Sequence, residues 1–191
     1  MGGNYISDPA IFVIDTLFSV YIFTVLLRFL LQWTRADFYN PISQFVVKIT
    51  HPPLKLLRRV VPSIGRIDTS CLVFALLLQM TATYSMSAIQ GQTISFVGLA
   101  LGSVEDLVQL LMNIYYYSIF ATIILSWVAG GSFSAASSIL YSITEPLLSI
   151  CRSVIPNLGG LDLSPMLALF LLHLAKMMVL PPLHQLASLL G

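Results

Sequence analysis

Residues 33–68 read WTRADFYNPISQFVVKITHPPLKLLRRVVPSIGRID, and residues 127–162 repeat this pattern at an offset of 94 positions (127 minus 33). The shared positions are aromatic, proline, glycine and charged residues that keep their spacing without a gap. The matched pairs are Trp33 with Trp127, Pro52 with Pro146, Arg58 with Arg152, Pro62 with Pro156, Gly65 with Gly159, and Asp68 with Asp162. The chain is therefore a tandem duplication, and these residues define its repeated unit.

The composition predicts a membrane protein. Apolar residues make up 57% of the 191 positions and charged residues 9%, with a mean hydropathy of +0.90. Such a chain has too little polar surface to cover a soluble globule, and its net charge of +1 gives no indication of nucleic-acid binding. About 20 apolar residues cross a ~30 Å hydrocarbon layer as a helix. Stretches of this kind predict an all-α fold with four transmembrane helices, two per repeat, at 10–31, 71–89, 107–128 and 165–183.

The basic residues predict the orientation, because Lys and Arg in short loops stay on the cytoplasmic side. Both loops inside the repeats carry cations, namely Arg35, Lys48, Lys55, Arg58, Arg59 and Arg66 in the first and Arg152 in the second. We therefore expect cytoplasmic repeat loops and periplasmic termini, with both repeats entering the membrane in the same direction. The predicted units are a first repeat at 1–90, an extracytoplasmic linker at 91–103 and a second repeat at 104–191.

Each repeat loop also contains an amphipathic segment that is too short to span the membrane, at 41–61 and 135–155. In the first, apolar residues recur at i, i+3, i+4 and i+7, which predicts one apolar helix face, and Pro52 with Pro53 is expected to break the helix. Such a segment lies flat at the membrane surface with its cations toward anionic headgroups. The predicted lipid-binding cations are Lys48, Lys55, Arg58 and Arg59. The alternative is that both segments simply cap the helix bundle.

Two further pairs of repeated residues have specific predicted roles. Gly65 and Gly159 are expected where the chain turns back into the membrane, at flexible or positive-φ positions. Asp68 and Asp162 precede a predicted helix, so each either stabilises that helix N-terminus or pairs with Arg58 or Arg152.

Several polar residues fall inside the predicted spans, where unpaired charges are costly. They are Asp15, Gln79, Gln109, His173 and Lys176. We expect Lys176 to pair with Asp15, or otherwise with Glu105 or Asp106, as a structural link between the repeats. The alternative is a polar path for protons or small ions. Arg28 lies near the inner end of the first span, where its long side chain can reach the interface.

No motif in the sequence indicates catalysis. There is no phosphate-binding glycine loop, no His-Glu-x-x-His and no Gly-x-Ser-x-Gly. The two cysteines are far apart and are expected to be reduced thiols, and the three histidines are too scattered to suggest a metal site. We therefore predict a non-enzymatic protein with no cofactor and no metal.

The duplicated segments carry a resemblance to a known family. The residues Trp33, 37–41, 43–48, Pro52, 58–62 and 67–68 resemble the first repeat of the YggT family of bacterial inner-membrane proteins. Residues 146–148, Arg152, 155–156, 159–162 and 164–166 resemble the second repeat. The chain is similar to the two-repeat, enterobacterial-type form, to which the single-repeat YlmG proteins are related. Thr122 stands opposite Arg28, and Ser149 and Ser153 stand where cations often flank Arg152.

The resemblance implies a multi-pass inner-membrane protein without established enzymatic activity. Members have been linked to osmotic and potassium-limited growth, and single-repeat relatives to cell division, nucleoid distribution and cytochrome maturation in plastids. Two hypotheses follow. The first is an organiser or assembly factor for other membrane proteins, acting through the cytoplasmic amphipathic helices. The alternative is an ion-homeostasis or osmotic-stress component. The expected partners are anionic lipid headgroups and other membrane proteins, or a second copy of this chain.

Overall fold

The computed structural model describes residues 4–65, 67–128, 134–154 and 162–190. These residues form six helices, and the described chain has no strand beyond an isolated bridge between Ile64 and Ile67. The helices are α1 (Asn4–Trp33), α2 (Pro41–Leu57), α3 (Thr69–Gln90), α4 (Phe96–Val128), α5 (Ala135–Val154) and α6 (Ser164–Leu190). Pro156, Gly159 and Arg66 lie outside the described residues.

Four of these helices, α1, α3, α4 and α6, are long and apolar enough to cross a membrane. The predicted all-α membrane fold with four spanning helices is therefore confirmed. Each of the four helices extends beyond its predicted span. The largest difference is in α4, which begins at Phe96, inside the segment 91–103 that we assigned as a linker.

The two repeats run in the same direction. The shorter helices α2 and α5 lie at one end of the bundle, where the Asn40 Nδ2 donates a 2.7 Å hydrogen bond to the carbonyl of Ala135. At the other end, the Ser95 hydroxyl donates a 2.7 Å bond to the carbonyl of Leu190. Because α1 and α4 both end beside the short helices, the repeats have the parallel arrangement predicted from sequence.

The predicted break at Pro52 and Pro53 is wrong, because α2 is one continuous helix across both residues. Proline removes a backbone donor and crowds the carbonyl four residues earlier, so a break was the expected outcome. Here the affected carbonyls belong to the exposed residues Lys48 and Ile49. Both residues lie away from the buried side of the helix, which is uninterrupted. Pro146 likewise lies inside α5.

The apolar stripe predicted on α2 is divided between two directions. Ser43, Val46, Thr50 and Leu54 are buried against the bundle, whereas Phe45 and Ile49 are exposed on another side. The prediction of a single apolar face is therefore wrong for Phe45 and Ile49. Two small polar residues replace them on the buried face, since tertiary packing selects residues that fit between helices and not hydrophobicity alone.

The connection from α2 to α3 is a tight turn held by hydrogen bonds. Ile64 and Ile67 exchange backbone bonds of 3.1 and 3.0 Å, and Gly65 between them has a φ of +60°. The Thr69 hydroxyl donates to the Pro62 carbonyl at 2.5 Å. The predicted positive-φ position at Gly65 is thus confirmed, and the turn is fastened to the start of α3.

Gly65→Ala is expected to destabilise the protein by about 1–2 kcal/mol, the cost of a left-handed backbone for a residue with a Cβ. A Cβ at this position meets nothing within 4 Å, so the conformation alone causes the loss. Gly102→Ala is the matched control, because Gly102 lies within α4 with equal space around it and without a positive φ. Thermal unfolding in detergent measures both. An unchanged Tm for Gly65→Ala contradicts the argument.

The hydrophobic core is unequally divided between the repeats. The larger cluster is built on repeat one, around Val25, Leu26 and Leu54, and it includes three residues of repeat two. Those three are Ile114, Ile139 and Ile143. A smaller cluster contains Ile119, Leu148, Cys151 and Ala168 of repeat two. Repeat two therefore packs part of its own unit into the core of repeat one.

Candidate functional site

The predicted ion pair between Arg58 and Asp68 forms in the structure and joins the end of α2 to the start of α3. The Asp68 side chain is 1% exposed and the Arg58 side chain 37%. Asp68 Oδ2 also accepts a bond from Cys71 Sγ at 3.3 Å. The carboxylate forms no cap hydrogen bond to α3, but Asp68 occupies its N-cap position, so this residue both pairs with arginine and places an anion at the helix N-terminus.

The environment of Asp68 favours its ionised form. Burial pushes the pKa of Asp68 upward, but hydrogen bonds from Arg58 and Cys71 and the charge of Arg58 outweigh burial. The net effect holds the pKa of Asp68 below its ordinary value. Its second oxygen, Oδ1, is buried and has no hydrogen-bond partner among the described residues.

Arg28 of α1 is buried, contrary to our expectation that its side chain extends to the interface. Its Nη1 donates to the Thr50 hydroxyl at 2.8 Å and to the Val47 carbonyl at 3.3 Å. These bonds tie α1 to α2. Within the described part of the chain, Arg28 forms no ion pair. The guanidinium is thus held by neutral oxygens, and its charge remains available to a ligand.

A cavity of about 580 Å³ brings these groups together. It contains two guanidinium groups and one carboxylate, which leaves one net positive charge. The lining residues are Arg28, Gln32, Phe38, Val47, Arg58, Pro62, Ser63 and Asp68. Arginine binds phosphate and carboxylate oxygens through its planar fork of donors. The cavity is therefore suited to an anionic group.

The second repeat has a corresponding cavity of about 500 Å³ with a different charge. Arg152 bonds Asp162 at 3.2 Å, as predicted, and Glu145 at 2.8 Å, and Thr122 replaces Arg28. Arg152 and Asp162 are the charged residues that line this cavity, so their charges cancel, and Glu145 adds a second carboxylate to Arg152 outside the lining. Asp162 Oδ1 also accepts a 2.9 Å bond from the Ser164 amide, so this aspartate caps α6 as well. Both cavities are therefore lined by the repeated arginine–aspartate pair, and of these two cavities the first has the excess positive charge.

The exposed charges of the second cavity stabilise one another. Burial is the largest single effect on the pKa of Arg152 and lowers it, but the bonds to Asp162 and Glu145 and the charges of both carboxylates together outweigh burial, so this pKa is raised. For Asp162, burial raises the pKa, while bonds from Ser164 and then Arg152 bring it below the ordinary value. Because all three side chains are exposed, their interactions are screened and contribute little stability.

Comparison with known proteins places the duplicated unit in a family. The family model described as CCB3/YggT matches residues 7–89 and again residues 101–183. The chain belongs to the CCB3/YggT family. The two matches are offset by the same 94 positions (101 minus 7) that the sequence repeat shows.

Three relatives show how widely the YggT architecture is shared. The uncharacterized protein PA0392 of Pseudomonas aeruginosa is 40% identical over 97% of this chain and 94% of its own length. An uncharacterized protein of Vibrio alginolyticus encoded in the proC 3′ region is 40% identical over 84% and 86%. The uncharacterized protein YggT of Escherichia coli strain K12 is 33% identical over 87% and 86%. No solved structure matches the chain.

The predicted lipid-binding cations of this YggT chain lie where water or headgroups can reach them. Lys48 and Lys55 are exposed and lie within about 20° of each other around α2. Arg59 is exposed just beyond the end of this helix, whereas Arg58 points to Asp68. With Phe45, Ile49 and Leu56 exposed on a third side, α2 presents one side to the bundle, one apolar side and one basic side. Trp33 and Trp127 are also exposed beside the short helices, as in interfacial aromatic belts.

The polar residues of the spans do not form a continuous path among the described residues. Gln79 Nε2 donates to Asp106 Oδ2 at 2.9 Å, and Lys176 donates to Asn113 Oδ1. The predicted partners of Lys176 are therefore wrong. For Asp15 the physical reason is that α6 packs on α4 of its own repeat and does not contact α1. Glu105 and Asp106 lie on α4, but about two helical turns before Asn113, which Lys176 reaches instead. Asp15, Gln109 and His173 are exposed on separate helices.

Sequence reasoning missed the roles of Thr50 and Arg28 in the site. The duplicated pair Ile49-Thr50 could have indicated the role of Thr50, since the same pair recurs at residues 143–144. A polar residue that is retained in an apolar helix face needs a hydrogen-bond partner inside the bundle. Asn113 had no such signal, since its equivalent in repeat one is Ser19 and it belongs to no duplicated motif.

Proposed function

We propose that the protein is a non-enzymatic organiser of the bacterial inner membrane that positions or helps to assemble other membrane proteins through α2 and α5. In this proposal the short helices lie on the cytoplasmic side and both termini are periplasmic. The excess of Lys and Arg in the repeat loops supports that orientation.

The main support for the proposal is that α2 has three different sides, one buried in the bundle, one basic and one apolar and exposed. Its inner side is fixed to the bundle through Arg28 with Thr50 and through Arg58 with Asp68. Its basic side fits anionic headgroups, and its exposed apolar side is available to a neighbouring protein in the headgroup region. A helix held so firmly yet exposed on two sides is suited to presenting a surface. It is less suited to catalysis, which needs convergent reactive groups.

The cation-rich cavity supports the same role. Arg28 and Arg58 line it together and can hold the phosphate of a phospholipid. A headgroup bound here sits between α1, α2 and the start of α3. It would fix the depth of the presented helix in the membrane.

Photo-crosslinking from α2 tests the proposal. A photoreactive phenylalanine analogue at position 56, on the exposed apolar side, is expected to give a reproducible adduct with one or a few membrane proteins in living cells. The same analogue at position 84, an exposed site on α3, is the matched control and is expected to give none of these adducts. Mass spectrometry identifies the partners.

Charge variants test whether the exposed cations contribute to this crosslinking. The triple change Lys48→Gln, Lys55→Gln and Arg59→Gln is expected to reduce the position-56 adducts several-fold, because the helix loses its attraction to anionic headgroups. The change Lys48→Arg, Lys55→Arg and Arg59→Lys keeps the charge and should keep the adducts. Adducts that are equal at positions 56 and 84 contradict the proposal. Ion flux through liposomes that disappears in Lys176→Met supports the ion-homeostasis hypothesis instead.

A further inference from the structure

The guanidinium of Arg28 has donors that its protein partners do not use. Nη1 makes both bonds that hold the side chain, to the Thr50 hydroxyl and the Val47 carbonyl. Nε and Nη2 have no hydrogen-bond partner among the described residues, yet neither of these atoms is fully buried. They share one edge of the planar group, which can bind two oxygens of a phosphate. Since Arg28 is 5% exposed and lines the cavity, this edge is open to the cavity.

The cavity has one positive charge that its own groups do not neutralise. Of its three charged lining residues, Arg58 is paired with Asp68, and Arg28 forms no ion pair within the described part of the chain. A buried charge without a counter-ion is costly, so the position of Arg28 favours an anion beside it. One group with a single negative charge neutralises the cavity.

The carboxylate in the cavity is not open to a cationic group. Asp68 Oδ2 accepts bonds from Arg58 and Cys71, and Oδ1 is buried. The other polar side chains of the lining, Gln32 and Ser63, are neutral. An ammonium group in the cavity therefore finds no accessible carboxylate oxygen, whereas a hydroxyl group can bond either neutral side chain.

The lining of the cavity is buried in one part and exposed in another. Arg28 and Asp68 are its buried residues, whereas Phe38, Pro62 and Ser63 are exposed. A ligand can therefore enter beside the exposed residues and reach the free edge of Arg28. The volume of about 580 Å³ is typical of a site for a small organic group.

We propose that this cavity is a selective binding site for one phosphodiester group that has a single negative charge and an uncharged, hydroxyl-bearing substituent. A phosphate monoester has a charge of about −1.5 to −2 near pH 7 and exceeds the charge of the cavity. The phosphodiester belongs either to the headgroup of an anionic phospholipid or to a water-soluble glycerol phosphodiester. The inference rests on the proposed function for the placement of α2 in the headgroup region, and it names the ligand class of the cavity.

The site is expected in the first repeat only. In the cavity of the second repeat, Thr122 occupies the position of Arg28, and the charges of Arg152 and Asp162 cancel. That cavity has no excess positive charge to attract an anion. The expected stoichiometry is therefore one ligand per chain.

Native mass spectrometry of the whole chain in an uncharged detergent, after removal of lipid, tests the proposal. The probes are phosphatidylglycerol, phosphatidylethanolamine and glycerophosphoglycerol, which is the first headgroup without acyl chains. One phosphatidylglycerol is expected to bind per chain, at least about tenfold more tightly than phosphatidylethanolamine. Binding of glycerophosphoglycerol with the same affinity identifies a soluble ligand, and binding of the lipid alone identifies the membrane as the source. The proposal is overturned if neither phosphodiester binds, or if phosphatidylethanolamine binds as tightly.

Two variants locate the ligand in the cavity. Arg28→Gln removes the unpaired charge and is expected to weaken binding at least about tenfold. Ser63→Glu adds a negative charge at an exposed position of the lining, where folding is not at risk, and should weaken binding to a similar extent. Ser153→Glu is the matched control, because Ser153 is exposed and lines neither of the two cavities. Equal binding by the Ser63→Glu and Ser153→Glu chains overturns the proposal.

The exposed cations of α2 separate this site from general attraction to lipid. The triple change Lys48→Gln, Lys55→Gln and Arg59→Gln leaves the cavity intact and should leave the affinity for the single ligand unchanged. Loss of binding in this variant but not in Arg28→Gln places the ligand on the basic side of α2 and overturns the proposal. Selective binding without crosslinked partners at position 56 contradicts the organiser function alone, whereas crosslinked partners without selective binding contradict only the site.

Discussion

Asp68→Asn is expected to destabilise the protein by about 2–3 kcal/mol and to loosen α2 from the bundle. Removing one partner of a buried ion pair typically costs about 3–5 kcal/mol, because the other charge is left without compensation. Here Arg58 is 37% exposed and can be partly solvated, so we expect a smaller loss. Arg28, which lines the same cavity, is then left beside Arg58 with no carboxylate between them. Thermal unfolding and limited proteolysis of α2 in detergent measure the effect.

The second repeat supplies the matched control, Asp162→Asn. Asp162 occupies the equivalent position but is 39% exposed, and Arg152 retains Glu145 as a partner. The expected loss is therefore about 0–1 kcal/mol, as for surface ion pairs. Equal losses at Asp68 and Asp162 would show that burial of the pair is not what stabilises repeat one.

The effect of Asp68 also has a defined pH dependence. Its pKa is lower in the folded protein than in the unfolded chain, so the ionised carboxylate stabilises the fold at pH values above the ordinary aspartate range. This contribution is lost as the pH falls through the lowered pKa of the folded state. The stability difference between the natural chain and Asp68→Asn should therefore be constant near neutral pH and shrink in strong acid.

Leu54→Ala is expected to cost about 2–5 kcal/mol, the range for deleting a large buried aliphatic side chain and leaving a cavity. Leu54 is fully buried and belongs to the larger core cluster, one helical turn beyond Thr50 on the inner side of α2. Its equivalent Leu148 is buried in the smaller cluster, so Leu148→Ala should cost less within the same range. The loss is measured as a shift of Tm.

Leu56→Ala is the control two positions away on the same helix. Leu56 is 64% exposed, so truncation leaves no internal cavity and should change stability by no more than about 0.5 kcal/mol. If the two variants unfold at the same temperature, α2 does not pack through the side that contains Leu54.

The repeat and the spans followed from sequence because they depend on local properties. A helix crosses a membrane when about 20 consecutive residues are apolar, and this property can be read without knowing any neighbour. The pairing of Arg58 with Asp68 was also accessible, since both residues recur in both copies at the same spacing. The break expected at Pro52 and Pro53 was wrong for the opposite reason, because packing of α2 on the bundle overrides a local preference.

The amino-acid sequence by itself determined that this protein has two tandem repeats, four spanning helices and a repeated arginine–aspartate pair, because period, hydropathy and spacing are properties of the chain. Only the tertiary structure decided which surfaces meet. In the folded protein Arg28 is buried and bonds Thr50, and Lys176 bonds Asn113. Ile139 is buried in the core, whereas its equivalent Phe45 is exposed. In a membrane, nearly every helix side is apolar, so hydrophobicity cannot distinguish a side facing lipid from one facing protein, and shape and polar pairing make that choice.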